Sequence, residues 1–492
     1  MTAIQPRLAR RQTQGTGFML LAATIGVVVG ILSAKDPPIA VAVCLVAVAA
    51  PAAILKPKLV LYGLTVTVFT EFLTVGGVTV GRFAVPLALV AVIAELGQAP
   101  ARLREGGLIL AFAAAYTLLA VASLFWTRSS IGTVTQLGSL GIALVYAAAF
   151  AVLVRSERDL RIVFWIITAC ALVLGLYWIG SFALGVARSA NSAGDPNFFA
   201  ADQVVALPII LVLGSWTKSN GLRALLMLVA AVVAASVVAS LSRGGALTLA
   251  VGGLLVVLLP GPMLFRTRAR KATFIFVAAV GLALIIPVAG PALNQRFKKG
   301  LETSQVGGRR ADLWLGAASA YARNPVLGIG YGAFKPTMFH WLISTPGVRL
   351  NLFSPGSLRS GQPVHNDYLE SLTELGPLGL FFFLGMIWTT GLSFVRTARR
   401  AKRLGDQFIR AASTALVIGL VTFVAGSFFL PTETSRTLWV FVGLSLALPE
   451  VLLAQHDATA TGGRPRVPDV SGRRLDAPML RLAPHVGPAS AS

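Results

Sequence analysis

The sequence predicts an all-α membrane protein, a transmembrane bundle of about 12–14 spans with one large extracytoplasmic loop, and three observations support this. The chain has 492 residues, of which 55% are hydrophobic and 12% are charged, and its mean hydropathy is +0.77. Soluble proteins carry about 25% charged residues, so the charged fraction here is about half of theirs. Apolar runs of about 17–25 residues, the length that crosses a bilayer as a helix, recur along the chain. These runs lack the charged faces that a large soluble helical protein needs.

The predicted spans are separated by short loops and by one long polar segment. The first four runs include the shortest and most polar members, and losing both members of a pair leaves the topology of the rest unchanged. The runs lie at 17–33, 38–54, 59–75, 83–97, 107–125, 131–154, 161–186, 198–215, 222–240, 245–260, 272–290, 366–395, 408–430 and 437–454.

Alternate loops between these spans are rich in Lys and Arg, which explains the net charge of +23 better than a nucleic-acid partner does. The basic loops and the N-terminal arm all fall on one face of the membrane. The positive-inside rule makes that face cytoplasmic, so we expect a multi-pass protein of the cell inner (cytoplasmic) membrane with cytoplasmic N- and C-termini. The basic residues are Lys56, Lys58, Arg102, Arg104, Arg155, Arg158, Arg161, Lys218, Arg223, Arg266, Arg268, Arg270, Lys271, Arg396, Arg399, Arg400, Lys402 and Arg403.

This topology divides the chain into five parts. A cytoplasmic basic arm at 1–16 precedes the transmembrane helices of 17–290. The polar segment 291–365 is then an extracytoplasmic loop, and 366–454 returns to transmembrane helices. The tail, 455–492, is rich in Pro, Gly, Ala and Arg without a hydrophobic period, so we expect it to be disordered and cytoplasmic.

The extracytoplasmic loop contains an amphipathic helix predicted at 309–323, with charged residues at its ends and Trp314 at headgroup depth. Asn324-Pro325 ends this helix. The Gly-Ile-Gly-Tyr-Gly run at 328–332 then requires a permissive backbone. It lacks the pattern of a nucleotide-binding loop, and phosphate binding by its backbone is the less favoured alternative.

His365 is the first candidate for chemistry, because it opens a predicted span at the extracytoplasmic membrane boundary. Histidine is the usual general base near neutral pH. The alternative is that His365 only caps the helix or bonds to a loop. His340, beside Trp341, is more typical of an interfacial packing residue.

Arg188 and Arg243 are candidates for holding phosphate oxygens, which the planar guanidinium group suits. Arg243 lies between two apolar runs with almost no loop, and Arg188 lies at the same extracytoplasmic level. The alternative for each is that it simply reaches the lipid headgroups. Glu370 and Glu374 follow on the His365 helix and could orient a base or hold an arginine. No cluster has the spacing of a metal site, and Cys44 and Cys170 both lie within predicted spans.

Several stretches around these residues resemble the O-antigen ligase/polymerase family of polytopic glycosyltransferases. The run at 194–200 and the Ser-Arg-Gly at 242–244 look like that family's patterns, and the resemblance spans 188–380. The other matching stretches, in the family's order, are RxxLWxxA at 310–317, NPVLGIGYGAF at 324–334 and HNDYLESLTELGPLGL at 365–380.

The resemblance implies a donor glycan on a polyprenyl pyrophosphate in the outer leaflet. It also implies transfer with inversion to the hydroxyl of a glycan, lipid or protein acceptor, without a metal or cofactor. His365 matches the family's general base, and Arg188 and Arg243 match the arginines that hold the pyrophosphate. The candidate positioning or structural residues are Arg310, Asn366, Tyr368 and Glu370.

The motifs do not separate a ligase from a polymerase. A transporter or flippase for an anionic or lipid-linked substrate is the alternative class, in which the arginines line a substrate path. Transporters often contain broken helices and a repeat between halves, and the sequence indicates neither. A structural partner in an envelope assembly is a third interpretation.

Overall fold

The computed structural model describes residues 49, 51, 53–70, 74–75, 78–96, 106–185, 195–302 and 309–460. Within these ranges the chain is predominantly helical, and one short antiparallel hairpin joins β1 (Thr74–Val75) to β2 (Val78–Thr79). The predicted span 17–33 lies outside the described residues, and 38–54 largely does. Residues 461–492 of the predicted tail also lie outside them.

Eight described helices are long and apolar enough to cross a membrane, which confirms a polytopic all-α membrane protein. Two shorter apolar helices and two further helices, Val80–Leu96 and Arg268–Glu302, accompany them. Each of these twelve helices overlaps one of the twelve predicted spans from 59 onwards. They are α1 (Pro57–Val68), α2 (Val80–Leu96), α3 (Gly107–Ala122), α4 (Ser130–Leu153), α5 (Glu157–Ala183), α6 (Pro196–Trp216), α7 (Asn220–Ala239), α8 (Arg243–Leu258), α10 (Arg268–Glu302), α14 (Asp367–Leu404), α15 (Gln407–Gly426) and α16 (Arg436–Ala460).

The short elements between these helices are mostly in the long polar segment. They are α9 (Gly261–Leu264), α11 (Arg309–Arg323), α12 (Phe334–Ile343) and α13 (Pro355–Ser360), with 3₁₀ turns at Ser123–Phe125 and Leu350–Leu352. Helix α11 covers the residues of the predicted amphipathic helix.

Helices α6, α15 and α16 form the centre of the bundle. In their most apolar stretches 83%, 72% and 83% of residues are buried, against 44% or less in the other five candidate spans. A helix that is apolar on every side is suited to this position because it has no charged face to keep in water.

Several spans differ in length from the sequence-based expectation. Helix α14 kinks at Gly376, whose φ is +69°, and continues to Leu404, so the basic residues expected in the following loop lie on its last turns. Helix α1 ends at Val68, and residues 74–75 of the predicted span 59–75 form strand β1 of the hairpin. Helix α16 continues to Ala460, so the first residues of the predicted tail are helical.

Contacts near the helix termini distinguish the two ends of the bundle. At one end, which we call the basic end, Lys58 Nζ lies 2.8 Å from the Asp159 carboxylate and Arg155 pairs with Glu95. The Arg161 guanidinium also lies 3.5 Å from the centre of the ring of Phe408 there. The opposite end, which we call the site end, carries α11 to α13.

The segment at the site end has its own apolar core. Leu313 and Ala317 of α11 pack with Phe334 and Met338 of α12 in one buried cluster. Arg349 anchors the following chain to α11, because its Nη2 lies 3.2 Å from the carboxylate of Asp312, which is 1% exposed. The segment is therefore a packed unit that sits on the bundle rather than a loose loop.

Candidate active site

His365 lies immediately before α14 in an unusual backbone conformation. Its φ is +56°, and in the described part of the chain Leu241 is the one other non-glycine residue with positive φ. This region costs about 1–2 kcal/mol for a residue with a Cβ atom. The next residue, Asn366, caps the helix by accepting hydrogen bonds from the backbone N–H groups of Tyr368 (3.1 Å) and Leu369 (3.0 Å). The cap holds the chain in place just beyond the histidine.

The His365 ring is half-buried, and burial and neighbouring charges shift its pKa. Burial lowers its pKa from 6.5 to about 4, and the positive charge of Arg310 acts in the same direction, as does that of Arg309 to a lesser degree. The carboxylate of Asp195 opposes this shift. Nδ1 is buried and has no hydrogen-bond partner among the described residues. The ring is therefore a neutral imidazole at pH 7.

Arg243 is the first residue of α8, and its side chain is exposed. Ser242 caps the helix, accepting a hydrogen bond from the N–H of Gly245 (3.0 Å). The Ser242 hydroxyl also donates to Asn197 Oδ1 at 2.7 Å, which ties the start of α8 to the start of α6. A helix N-terminus presents free N–H groups and a partial positive charge, so this arginine stands where an anion is favoured.

The turn between α15 and α16 connects the starts of α8 and α14. The backbone N–H of Asp367 donates to the carbonyl of Ser427 at 3.0 Å, and its carboxylate accepts from the N–H of Thr432 at 2.6 Å. On the other side, a Cβ atom on Gly244 would lie 3.6 Å from Cβ of Phe429. One turn thus packs against the residues that follow both the candidate histidine and the candidate arginine.

Arg310 of α11 completes this group. Its burial lowers its pKa, the charge of Asp195 raises it, and the charge of Arg243 lowers it. Because Arg310 also lowers the pKa of His365, it lies within electrostatic range of the histidine and of Arg243. Residues from α8, α11 and the start of α14 therefore lie within electrostatic range of one another at the site end, although His365 and Arg243 are far apart in sequence.

The glycine-rich run 328–332 packs against α14 and is held by Glu374. The carboxylate of Glu374 accepts from the N–H groups of Gly332 (2.6 Å) and Phe334 (3.0 Å), and its carbonyl accepts from Gly330 (2.8 Å). The other backbone N–H groups of residues 328–333 also have protein acceptors. The run therefore has no free N–H groups for a phosphate, and Glu374 serves this loop rather than an arginine or the histidine.

A second buried carboxylate, Glu433, lies in the turn between α15 and α16. It accepts hydrogen bonds from the Tyr116 hydroxyl (2.8 Å) and from Gln136 Nε2 (3.0 Å), and burial raises its pKa. It ties this turn to α3 and α4. Across the residues that the structure describes, no group of three or more His, Cys, Asp or Glu side chains could hold a metal ion.

Residues 226–384, about a third of the chain, match the family model described as O-antigen ligase. This range contains Arg243, α11, the glycine-rich run and His365. This match supports a place for the chain in the O-antigen ligase/polymerase family. No curated protein matches the chain significantly. The family carries membrane glycosyltransferase activity of the ligase or polymerase type, with lipid-linked glycans as substrates.

The remaining residues that the sequence associated with the O-antigen ligase family have different surroundings. Arg188 lies outside the described residues. The Tyr368 hydroxyl donates to the carbonyl of Val424 at 2.6 Å, and its ring centre lies 4.6 Å from that of Phe428, so it packs α14 on α15. Glu370 is 5% exposed, and its Oε2 has no hydrogen-bond partner in the described structure.

Sequence reasoning missed two residues of this region. Asp195 precedes Pro196 at the start of α6, and its carboxylate accepts from the N–H of Asn197 at 2.6 Å. Asp-Pro-Asn is a recognisable helix-start pattern, so Asp195 could have been placed beside the site in advance. Glu433 could have been noticed as an acid in a short turn between two apolar runs.

Proposed function

We propose that this protein transfers a glycan from a polyprenyl-pyrophosphate donor to an acceptor hydroxyl at the outer face of the cytoplasmic membrane. His365 takes the proton of the acceptor hydroxyl as that oxygen attacks the anomeric carbon. The bond from this carbon to the pyrophosphate oxygen breaks, and the pyrophosphate leaves with the electron pair. A single displacement of this kind inverts the anomeric centre.

Arg243 and Arg310 stabilise the negative charge that grows on the leaving pyrophosphate. Each charged hydrogen bond contributes about 1.5–3 kcal/mol, and the contribution increases as charge develops. Arg188 is proposed as a further pyrophosphate ligand on the strength of the family resemblance. Asn366 and Tyr368 act through the position of α14 and do not touch the substrate in this proposal.

The observation that carries the proposal is the convergence of three functional groups from distant parts of the chain. A neutral imidazole with an unpartnered nitrogen lies within electrostatic range of Arg310, which in turn lies near Arg243. A general base has to be unprotonated, and a pyrophosphate needs concentrated positive charge. This arrangement supplies both at one end of a membrane bundle.

Transfer of labelled glycan in membrane extracts tests the proposal. We expect His365→Ala to lower the transfer rate by about 10²–10⁴-fold, the usual contribution of a general base. His340→Ala is the matched control, because this exposed histidine lies in the same segment beside Trp341 and should leave the rate unchanged. Full activity in His365→Ala, at equal protein levels, would rule out this mechanism.

The same assay separates the two acceptor classes. A polymerase extends the label on a second lipid-linked glycan, whereas a ligase moves it to a different lipid, glycan or protein. Arg243→Ala should slow both reactions by at least about tenfold, since it removes a charged contact to the shared donor.

A further inference from the structure

A large apolar cavity lies between α6, α7, α8, α10 and α15. Its volume is about 550 Å³, and the residues that line it in the described part of the chain are all hydrophobic or glycine. Along α8 the lining runs from Ala246 to Val257, a distance of about 16 Å at 1.5 Å per residue. The first of these residues follows Arg243 by less than one helical turn. The cavity therefore begins beside the proposed pyrophosphate site and extends towards the basic end.

The size and lining of the cavity indicate its kind of ligand. Protein interiors contain few voids larger than a water molecule, and sites for small molecules measure about 300–1,000 Å³. A water molecule needs polar partners, which this lining does not offer, whereas apolar cavities take up hydrocarbon. The space is thus suited to a hydrocarbon chain.

Small residues create the room for such a chain. A Cβ atom on Gly253 of α8 or on Gly281 of α10 would meet nothing within 4 Å. The lining also includes Gly252 and Ala250 on α8 and several alanines on α7 and α10. Larger side chains at these positions would close the space, so its width depends on their absence.

We propose that this cavity holds the first part of the polyprenyl chain of the donor, running along α8 from the pyrophosphate at Arg243. This inference rests on the proposed function. Lipid tails are as apolar as the cavity wall, so the gain comes from close contact and orientation rather than from leaving water. A polyprenyl chain fixed in this cavity orients the pyrophosphate and the anomeric carbon towards His365.

Substitutions of lining residues by larger ones, which fill the cavity, test the inference. Gly253→Leu and Gly281→Leu place a side chain in open space without overlapping protein atoms, and leucine favours a helix more than glycine does. Gly138→Leu on α4 is the matched control, because a Cβ there also meets nothing within 4 Å and Gly138 does not line the cavity. Each variant is purified as the full chain and assayed with a long-chain donor and with a donor carrying two isoprene units.

We expect each cavity variant to raise KM for the long-chain donor about tenfold, because the displaced chain loses its close packing contacts with the cavity wall. KM for the short-chain donor should stay within about twofold, and the control should behave like the wild type with both donors.

An unchanged KM for the long-chain donor overturns the inference, and so does an equal rise for the two donors. An ordinary phospholipid chain as the occupant would likewise leave the ratio of the two KM values unchanged. Failure of the wild-type protein to transfer glycan from either donor overturns the proposed function itself, whereas transfer with unchanged KM ratios overturns this inference alone.

Discussion

The protonation state of the His365 ring depends on its burial and on the charges near it. Burial and the charge of Arg310 both disfavour the protonated ring, so the free protein presents a neutral but weak base. A bound pyrophosphate would bring negative charge beside the same arginine and offset its effect. We therefore expect the basicity of His365 to rise when the donor binds, which couples proton removal to the presence of the leaving group.

The pH dependence of kcat/KM tests this at the level of the residue. This parameter reports the free protein, so activity should be constant around neutrality and fall on acidification with a midpoint near pH 4, where His365 becomes protonated. Arg310→Gln removes a positive neighbour, makes protonation easier and should move the midpoint upwards.

The control for this experiment is Arg323→Gln at the other end of α11. Arg323 is exposed and donates to the carbonyl of Ser344, away from the histidine. The midpoint should not move in this variant. A wild-type midpoint near the ordinary histidine value of 6.5 would show that burial and Arg310 do not lower the pKa of His365.

The connection between α11 and α12 is the element that most depends on glycine. Gly328, Gly330 and Gly332 have φ values between +67° and +101°. The same loop lies so close to α14 that a Cβ on Gly328 would fall 2.4 Å from the Glu374 carbonyl carbon. Both the backbone conformation and the close approach require glycine, and the Glu374 carboxylate then fastens the loop.

Gly330→Ala should destabilise the protein more than an alanine at a similar backbone angle elsewhere. A Cβ at Gly330 would lie 2.5 Å from Cα of Thr127, whereas one at Gly347, where φ is +83°, meets nothing within 4 Å. Both variants carry the left-handed cost of about 1–2 kcal/mol, and Gly330→Ala adds about 1–3 kcal/mol for overpacking.

Thermal unfolding in detergent measures this difference, with Gly347→Ala as the reference. A larger drop in Tm is expected for Gly330→Ala than for Gly347→Ala. Equal drops would mean that the contact with Thr127 relaxes at no cost and that the loop is held less tightly than its hydrogen bonds indicate.

At the scale of the whole molecule, the two ends of the bundle differ in charge and role. The basic loops meet at one end, where Arg270 also donates to the carbonyl of Ser215, and the candidate active site is at the other. From the positive-inside rule we propose that the basic end is cytoplasmic. Lipid-linked glycan would therefore react on the extracytoplasmic side, where no nucleotide sugar is available.

Cysteine labelling in intact cells checks this orientation. After replacement of the native cysteines, Ser360→Cys in α13 should react with a membrane-impermeant thiol reagent from outside, because this residue is exposed at the site end. Lys218→Cys, exposed at the basic end, should react only after the cells are permeabilised. Labelling of the two positions from the same side would contradict the proposed topology.

Hydropathy and motif spacing predicted much of the fold and part of the site. The spans from 59 onwards were found because each must match the thickness of a bilayer, and this constraint acts on every helix separately. Helix ends such as Leu404 were missed, because a helix that leaves the membrane changes its composition but not its hydrogen bonding. The histidine and the arginine were proposed as site residues because they are polar and lie at the ends of apolar runs, and their roles stay predictions.

The sequence by itself determined that the chain is a membrane bundle with its basic loops on one face, since length, apolar content and charge are local properties. Only the tertiary structure decided which side chains meet. It brought Arg310 and Asp195 within electrostatic range of His365, placed the Glu374 carboxylate against the glycine-rich run and opened the cavity along α8. These outcomes depend on how helices pack, and packing joins residues that no sequence spacing relates.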